Sequence, residues 1–416
     1  MKEILRPLRA EISLKNVRHN YRVLRAMVSR EDFFCPMIKA NAYGHGDVEV
    51  ARELINEGAE HFGVALVEEA VRLRESGIMV DLLVFGPFVD RASADAVVRH
   101  ELTPVVSSWE ALRALEAAVQ EQTARGALGA SVNVHLKFNT GMNRLGFSPG
   151  EVKKLRDYFS QTQISSSGAG ARVLNPKLVL KGVCTHLLSG DDALQKNGRT
   201  AKQLQIFSKI FESFKSDEVK AHVLNSSALL ARFLESNDIR QNVTHSTLTH
   251  WGARPGISLY GIVAPVNGLS DNLKSVYEAI DLRPVMRVVS EIVHIQNLAK
   301  GETVSYGGRY QVNRDSTIGV VPIGYADGYM RRLSTKSKMV FRGQCVPVAG
   351  TVCMDFSMVD LTDVAPLVGD EIVVLGRQES GVHAAQVTAL ELAEAAGTIP
   401  YEVLTNFSAR VPRVYV

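Results

Sequence analysis

"HFGVALVEEAVRLRESGIMVDLLVFG", residues His61–Gly86, reads as a strand, a helix and a second strand. "HFGVAL" and "DLLVFG" are short β-rich runs. "VEEAVRLRESG" between them is amphipathic and rich in helix formers. Strands joined by a helical crossover pair in parallel, because a tight hairpin cannot join parallel neighbours. The same alternation runs from Asn16 to Gly261. "FFCPMIK" precedes this unit, and "LTPVVS", "SVNVHLKF", "LVLKGVCTH", "AHVLN" and "GISLYG" follow it, making eight strand candidates. Eight β/α units in about 250 residues fit a closed (β/α)8 barrel of TIM type. An open doubly wound sheet is the structural alternative.

After Gly261 the pattern changes. "MRVVSEIVHIQNLAKG", "STIGVVPIGYADG", "MVFRGQCVPVAGTVCMDFSMVDLTD" and "GDEIVVLG" are β-rich and punctuated by turns. The expected organisation is an α/β barrel over 12–262 followed by a mainly antiparallel β domain over 263–416. The early run at 8–14, "LRAEISL", is a candidate extra strand of that second domain. One helix, "TALELAEAAG", is expected before a last strand, "ARVPRVYV". The G-x-G of "SSSGAGAR", from Ser165, follows no strand and opens no helix, so it reads as a surface insertion.

The 416 residues suffice for two or three domains, and 46% hydrophobic with 22% charged residues is ordinary for a globular protein. A net charge of +3 is too small to argue for a nucleic-acid partner, and none is expected. The basic run "YMRRLSTKSK" reads as a solvated face, with steering of an anionic substrate as the alternative. The four cysteines form no C-x-x-C pair. No apolar run is long enough for a bilayer, and the start lacks a signal-peptide core, so a cytoplasmic protein without membrane partners is expected. The acceptor-like triplets at Asn225, Asn242 and Asn406 are then chance matches.

Barrel enzymes place their chemistry where strands end. The first strand ends in Lys39, with Tyr43 just beyond; the fifth delivers Lys137 and then Arg144. The sixth ends at His186, the seventh at Asn225 and Ser226, and the eighth lies beside Arg254 and Gly256. Each has a bland reading: a snorkelling lysine, a satisfied core histidine, an arginine paired with an acid. Their gathering at strand ends argues for a rim. No carboxylate cluster or H-E-x-x-H spacing accompanies them, which disfavours a metal site. "NSSA" and "RPGI" occupy the loops after strands seven and eight, the barrel's usual phosphate site. Hydroxyls and glycine amides at helix starts suit a phosphate. A phosphate facing a lysine suggests pyridoxal 5′-phosphate anchored as a Schiff base.

"IKANAYGHG", "FNTGMNRLGF", "VCTHLLSGD", "NSSA", "RPGISLYG", "VSYGGRY", "PIGYADGYMR", "GTVCMDFSMVD" and "GTIPYEV" with "SARVPRVY" resemble the alanine racemase family, motif by motif, over nearly the whole chain. The resemblance implies an isomerase that interconverts L- and D-alanine and supplies D-alanine for peptidoglycan. It implies Lys39 as cofactor anchor and one catalytic base, and Tyr306 as the second base, contributed by the other subunit of a homodimer. Tyr43, Ser226, Gly256, Ile257 and Tyr401 resemble the phosphate ligands. Arg254 resembles the arginine facing the pyridine nitrogen, and His186 the residue that holds it. Arg144 and Met354 resemble the contacts to the substrate carboxylate, Arg144 also reaching the cofactor phenol oxygen. Lys137 stands where an N-carboxylated lysine often occurs. Asp191, Tyr325, Arg331, Asp355 and Tyr401 resemble an entrance corridor.

Asn139, Phe356, Pro400 and the Leu187–Leu188 pair depart from the family pattern without removing a proposed catalytic group. A decarboxylase of the same architecture is the nearest alternative. Its chemistry profits from a carboxylate at the pyridine nitrogen, where this chain has Arg254. A non-catalytic cofactor carrier would not need the second domain.

Overall fold

The computed structural model describes residues 5–125, 131–162, 177–237 and 250–416, so "SSSGAGAR" and Asn242 lie outside the described residues. The chain divides into two compact units. One comprises Val17–Ala40 and Asp47–Arg283. The other takes the chain up to Asn16, the short stretch Asn41–Gly46, and Pro284–Val416.

The first strand of the chain, β1 (Leu8–Ile12), belongs to the second of these units. The barrel unit is built on β2 (His61–Val64), β3 (Asp81–Val84), β4 (Thr103–Val106), β5 (Ser131–Lys137), β6 (Lys177–Cys184), β7 (Lys220–Leu224) and β8 (Gly252–Ala253). They lie side by side in chain order, and every neighbouring pair is parallel. Residues 33–38 close the ring. On one side the Cys35 N–H donates to the Ala253 carbonyl at 2.9 Å and the Ala253 N–H to that of Phe33 at 2.8 Å. On the other, the Ile38 N–H donates to Gly63 and the Gly63 N–H to Pro36, both at 2.9 Å. Pro36 has no N–H, so this strand makes isolated bridges to its neighbours rather than a full ladder. The fold is a (β/α)8 barrel followed by a mainly antiparallel β unit.

Helices cover the sheet because their apolar residues recur on one face. Val67–Glu75 buries Val67, Ala70 and Leu73, with Glu68 and Glu69 in its first turn and Arg72 and Arg74 in its last, matching the helix dipole. Trp109–Ala124 buries Ala111, Leu112, Leu115, Ala118 and Val119. Each leucine fully buried in this way contributes about 1.5–3 kcal/mol.

The eighth strand is not where the apolar pattern puts it. "GISLYG" does not form a strand. Gly252–Ala253 does, and Ile257–Tyr260 wind into a buried 3-10 turn. Pro255 cannot donate to a ladder, and Gly256, at φ −110° and ψ −95°, turns the chain away from the sheet. The alternation comes instead from a turn buried on every side, where Tyr260 donates its hydroxyl to the Met37 carbonyl at 2.9 Å.

In the other unit β1 pairs antiparallel with Met286–Glu291 and parallel with Arg413–Tyr415. The same sheet continues through Glu371–Ser380 to Lys338–Phe341 and Gln344–Pro347. A three-stranded antiparallel sheet joins His294–Leu298, Ser316–Val321 and Ser357–Asp360. The helix Ala389–Ala396 ends at Gly397, and a further helix, Pro400–Asn406, carries Tyr401. Pro400 sits in the first turn of that helix, where a missing N–H costs nothing.

Candidate active site

The barrel's strands deliver their polar ends to one rim. Lys39 follows the closing segment 33–38, Lys137 is the last residue of β5, and Thr185 and His186 follow β6. Asn225 and Ser226 follow β7, and Arg254 follows β8. Lys137, Arg144, Thr185 and His186 line one small cleft. A cavity of about 950 Å³ is lined instead by residues at the strands' opposite ends, including Asp81, Asn133 and Lys220, and by none of these rim residues.

The rim is cationic and partly dry. Burial holds the Lys39 amine below the ordinary lysine range, and the nearby charges of Arg144 and Arg254 push the same way; Glu69 opposes them. Lys137 is also lowered by burial, then by Arg254, Arg144 and Lys39. His186 is kept neutral well below its usual range, first by burial and then by these cations. An amine with a depressed pKa retains more of its neutral, nucleophilic form. Among the described residues no group of His, Cys, Asp or Glu could hold a metal ion.

The backbone after Lys39 is exceptional. Residues 39–43 form one helical turn in which Ala40, Asn41, Ala42 and Tyr43 all have φ between 51° and 55°. This is a left-handed turn made without glycine, costing roughly 1–2 kcal/mol per residue in local sterics. Glu69 restrains its start by accepting the Ala40 N–H at 2.6 Å. The turn also explains Gly44: at φ 87°, a Cβ there would lie 2.4 Å from the Leu404 carbonyl oxygen.

Arg254 is 5% exposed and has no ionic partner among the described residues. It donates to His222 Nδ1 at 2.7 Å, to the Thr185 carbonyl at 2.8 Å and to the carbonyls of His222 and Val223. The imidazole that bonds it is His222, while the ring of His186 is not among its partners. The Phe85 ring lies 5.5 Å from its guanidinium.

The loops after β7 and β8 interlock. Ser226 opens the helix Ser226–Ser236, capped by the Asn225 side chain, which accepts the Ala228 N–H at 3.0 Å. The Ser226 hydroxyl oxygen accepts N–H groups from Gly256 at 3.0 Å and Ser258 at 3.4 Å. Ser258 Oγ is buried without a hydrogen-bond partner among the described residues. Asn139 organises the approach to Arg144: its Oδ1 accepts the N–H groups of Gly141 at 3.1 Å and Asn143 at 3.0 Å. Arg144 itself is exposed. Asp191 accepts from Asn267, at 2.7 Å through its carbonyl and 2.6 Å through its side chain.

The β unit carries a second set of residues. Tyr43, in the stretch Asn41–Gly46, packs its ring 6.0 Å from that of Tyr401. Tyr306 is 71% exposed and Met354 53%. Their loops are tied together: Thr351 Oγ1 donates to the Tyr306 carbonyl at 2.8 Å, and Ala326 N–H to that of Met354 at 3.0 Å. Asp355 pairs with Arg410 at 2.7 Å. Arg331 lies on the surface in a short 3-10 turn, and Tyr325 and Phe356 are also exposed.

Three structurally placed residues escape a reading of strand ends alone: Glu69, His135 and His222. The two histidines lie inside the apolar runs "SVNVHLKF" and "AHVLN", not at their ends.

A barrel whose strand-end lysine is surrounded by cations, followed by an antiparallel β unit, defines a lysine-centred enzyme of the β/α-barrel class. The sequence pattern of the alanine racemase N-terminal domain matches residues 12–264, and that of its C-terminal domain residues 285–415. The alanine racemase of Sorangium cellulosum is 37% identical over 421 residues, covering 99% of each chain. That of Thermodesulfovibrio yellowstonii is 36% identical over 98% of each. The crystal structure of alanine racemase from E. faecalis superposes with a TM-score of 0.80 at 30% identity, covering 99% of this chain and 98% of that one. The chain belongs to the alanine racemase family and is an enzyme of that family.

Proposed function

We propose that this enzyme interconverts L- and D-alanine with pyridoxal 5′-phosphate, by a two-base mechanism shared across a homodimer, and so provides D-alanine for peptidoglycan. The observation that carries the reading is the Lys39 amine at the barrel rim, depressed by burial and by Arg144.

The residues present fit the cofactor. Lys39 offers an amine for the aldehyde. The helix Ser226–Ser236 offers N-terminal N–H groups with no carbonyl of their own helix to bond, beside the buried Ser258 hydroxyl. Ser226, Gly256 and Ile257, with Tyr43 and Tyr401, would hold the phosphate. Arg254 would face the pyridine nitrogen. A guanidinium donates hydrogen bonds and accepts none, so it disfavours a protonated ring. His186 would lie beside the cofactor. Pyridoxal phosphate, when bound, supplies the electron sink that acidifies the α-C–H.

The chain's own groups do the rest. Arg144 and the N–H of Met354 of the partner subunit would orient the substrate carboxylate, and Arg144 would also reach the cofactor phenol oxygen. Lys39 moves the proton at Nζ on one face of the α-carbon, and Tyr306 of the partner subunit at its hydroxyl on the other. Each base is worth about 10²–10⁴-fold. The depressed amine of Lys137 suits N-carboxylation, which would place a negative charge beside Arg144. Asp191, Tyr325, Arg331, Asp355 and Tyr401 would line the entrance and favour a small side chain.

The test joins two measurements. Borohydride reduction and peptide mapping should place the pyridoxyl group on Lys39. A chiral assay should show interconversion of the alanine enantiomers and lower kcat/KM for serine and lysine. A label on another lysine, or equal kcat/KM for lysine and alanine, would refute the reading.

A further inference from the structure

Barrel interiors are ordinarily filled by branched apolar side chains. This one holds two imidazoles. His135 on β5 is 2% exposed and His222 on β7 is 0% exposed. His135 Nδ1 and His222 Nε2 lie 2.7 Å apart, and His222 Nδ1 lies 2.7 Å from Arg254 Nη1. The three side chains form one continuous hydrogen-bonded line beneath the rim.

The direction of every proton in that line follows from its upper end. Arginine only donates, so His222 Nδ1 must accept. Neutral His222 then carries its proton on Nε2 and donates it to His135 Nδ1. Neutral His135 must in turn carry its proton on Nε2. An imidazolium at either position would set an N–H against a donor. Burial depresses both pKa values, aided at His135, brought to about 3, by His61 and then Arg254, and at His222 by Arg254, then His135, His61 and Lys137.

Phe33 and Gly182 confine this line on two sides, while His135 and Phe33 also border the cavity of about 950 Å³. The Phe33 ring packs 4.6 Å from His222 and 5.5 Å from His135. Gly182 pairs with His135 across β5 and β6, and a Cβ there would lie 2.3 Å from His135 Nδ1. Arg254, lacking a carboxylate, depends on neutral acceptors for its aim, and His222 Nδ1 is its only side-chain acceptor among the described residues.

We propose that His135 is a positioning residue for Arg254: by accepting from His222 Nε2 it fixes the tautomer whose Nδ1 holds the guanidinium in place. The inference rests on the reading that Arg254 faces the pyridine nitrogen. His135 itself touches neither cofactor nor substrate.

Nitrogen-15 NMR of histidine-labelled wild-type apoprotein tests the polarity without any variant. Both imidazoles should be neutral, with the proton on Nε2, from pH 8 down to 5.5. An Nδ1–H tautomer or an ordinary titration at either residue would overturn the proposal. In His135→Leu, the His222 tautomer should become mixed, the Arg254 side-chain signals should shift, and kcat should fall about tenfold with KM for alanine little changed. His135→Asn, whose amide oxygen can accept from Nε2–H, should restore the tautomer and most of the lost kcat. An unchanged His222 tautomer in His135→Leu would reduce His135 to packing and sink the proposal. Should that variant fail to fold, Gly182→Ala displaces His135 without removing it and must produce the same tautomer mixture. Lack of pyridoxal phosphate in the purified enzyme would overturn the assignment of Arg254 instead, a failure separable from the apoprotein tautomers.

Discussion

The carboxylate of Glu69 accepts the N–H of Ala40 at 2.6 Å, one residue beyond Lys39. Its other oxygen accepts the N–H groups of Ala65 at 2.8 Å and Leu66 at 3.1 Å. One side chain thus joins the left-handed turn to the end of β2 and the start of the helix Val67–Glu75. Glu69→Ala should strip three backbone donors of their acceptor and destabilise the protein by about 1–3 kcal/mol, and Glu69→Gln, which keeps one oxygen in place, by less. The turn fixes the exit of Lys39, so rebinding of pyridoxal phosphate to the apoprotein should slow in the same order. Urea midpoints and the rate of absorbance change on adding cofactor measure the two effects. Equal stability of wild type and Glu69→Ala would remove Glu69 from this role.

Acid should unfold the apoprotein earlier than carboxylates alone would. Burial depresses His45 to about 4 and His135 to about 3, and holds His186 and His222 well below the usual range. Each of these is neutral when folded and protonated when unfolded between its lowered pKa and about 6.5. The unfolded state therefore binds more protons there, and stability falls as pH drops through that window. Asp47, raised by burial, opposes by at most one proton. The net uptake is about three protons near pH 5.5, a slope of about 4 kcal/mol per pH unit. Urea midpoints at pH 7, 6 and 5 report it, and a constant midpoint would contradict the buried neutral histidines.

How far the sequence carries can be judged from particular residues. Strand–helix alternation identified a parallel barrel, because an amphipathic helix and a short β run differ in period whatever surrounds them. It misplaced the eighth strand, since a turn buried on all sides is as apolar as a strand. The closing strand was recognisable as a β run, but its broken ladder follows from Pro36 and partners far along the chain. The left-handed turn left no mark either: "KANAY" is ordinary helix composition, and only Gly44 and Gly46 hint at positive φ nearby. Lys39, Lys137, His186, Ser226 and Arg254 could be collected because strand ends converge by topology. His135 and His222 could not, because their pairing depends on the stagger of β5 against β7 and on the space left by Gly182.

Asn139 should matter through the backbone it holds. Its amide oxygen accepts two N–H groups in the loop that leads to Arg144, the task a carboxylate would perform at the same position. Asn139→Asp should keep both bonds and near-normal kinetics. Asn139→Ala should release the loop and raise KM for alanine about tenfold, the equivalent of one or two lost hydrogen bonds, with a smaller change in kcat. Steady-state assays of the three proteins decide this. Identical KM values would mean that Arg144 is positioned by other contacts.

Gly44→Ala is expected to be severe. The residue sits at φ 87°, and the added methyl would lie 2.4 Å from a backbone oxygen that cannot rotate away. Left-handed strain and the clash together should cost at least about 3 kcal/mol. Gly58→Ala is the control, because it has a similar φ of 86° but open space around it. Comparing their urea midpoints separates conformational strain from collision. Equal losses at the two positions would show that the Leu404 contact is unimportant.

The exposure of Tyr306 makes the shared-site reading testable by subunit mixing. Its side chain projects from a loop fastened at Ser305 and Thr351, where Ser305 Oγ donates to the Thr351 carbonyl at 2.7 Å. If each site combines Lys39 of one subunit with Tyr306 of the other, Lys39→Ala and Tyr306→Phe proteins are each inactive but complementary. A mixed dimer then has one site with both bases and one with neither. Random exchange at equal concentrations makes half of the dimers mixed, so activity should recover to about a quarter of wild type. If both bases came from the same chain, every site would lack one of them and nothing would recover. Native mass spectrometry of differently tagged subunits establishes that exchange has occurred. Mixed dimers without activity would rule out Tyr306 acting across the interface.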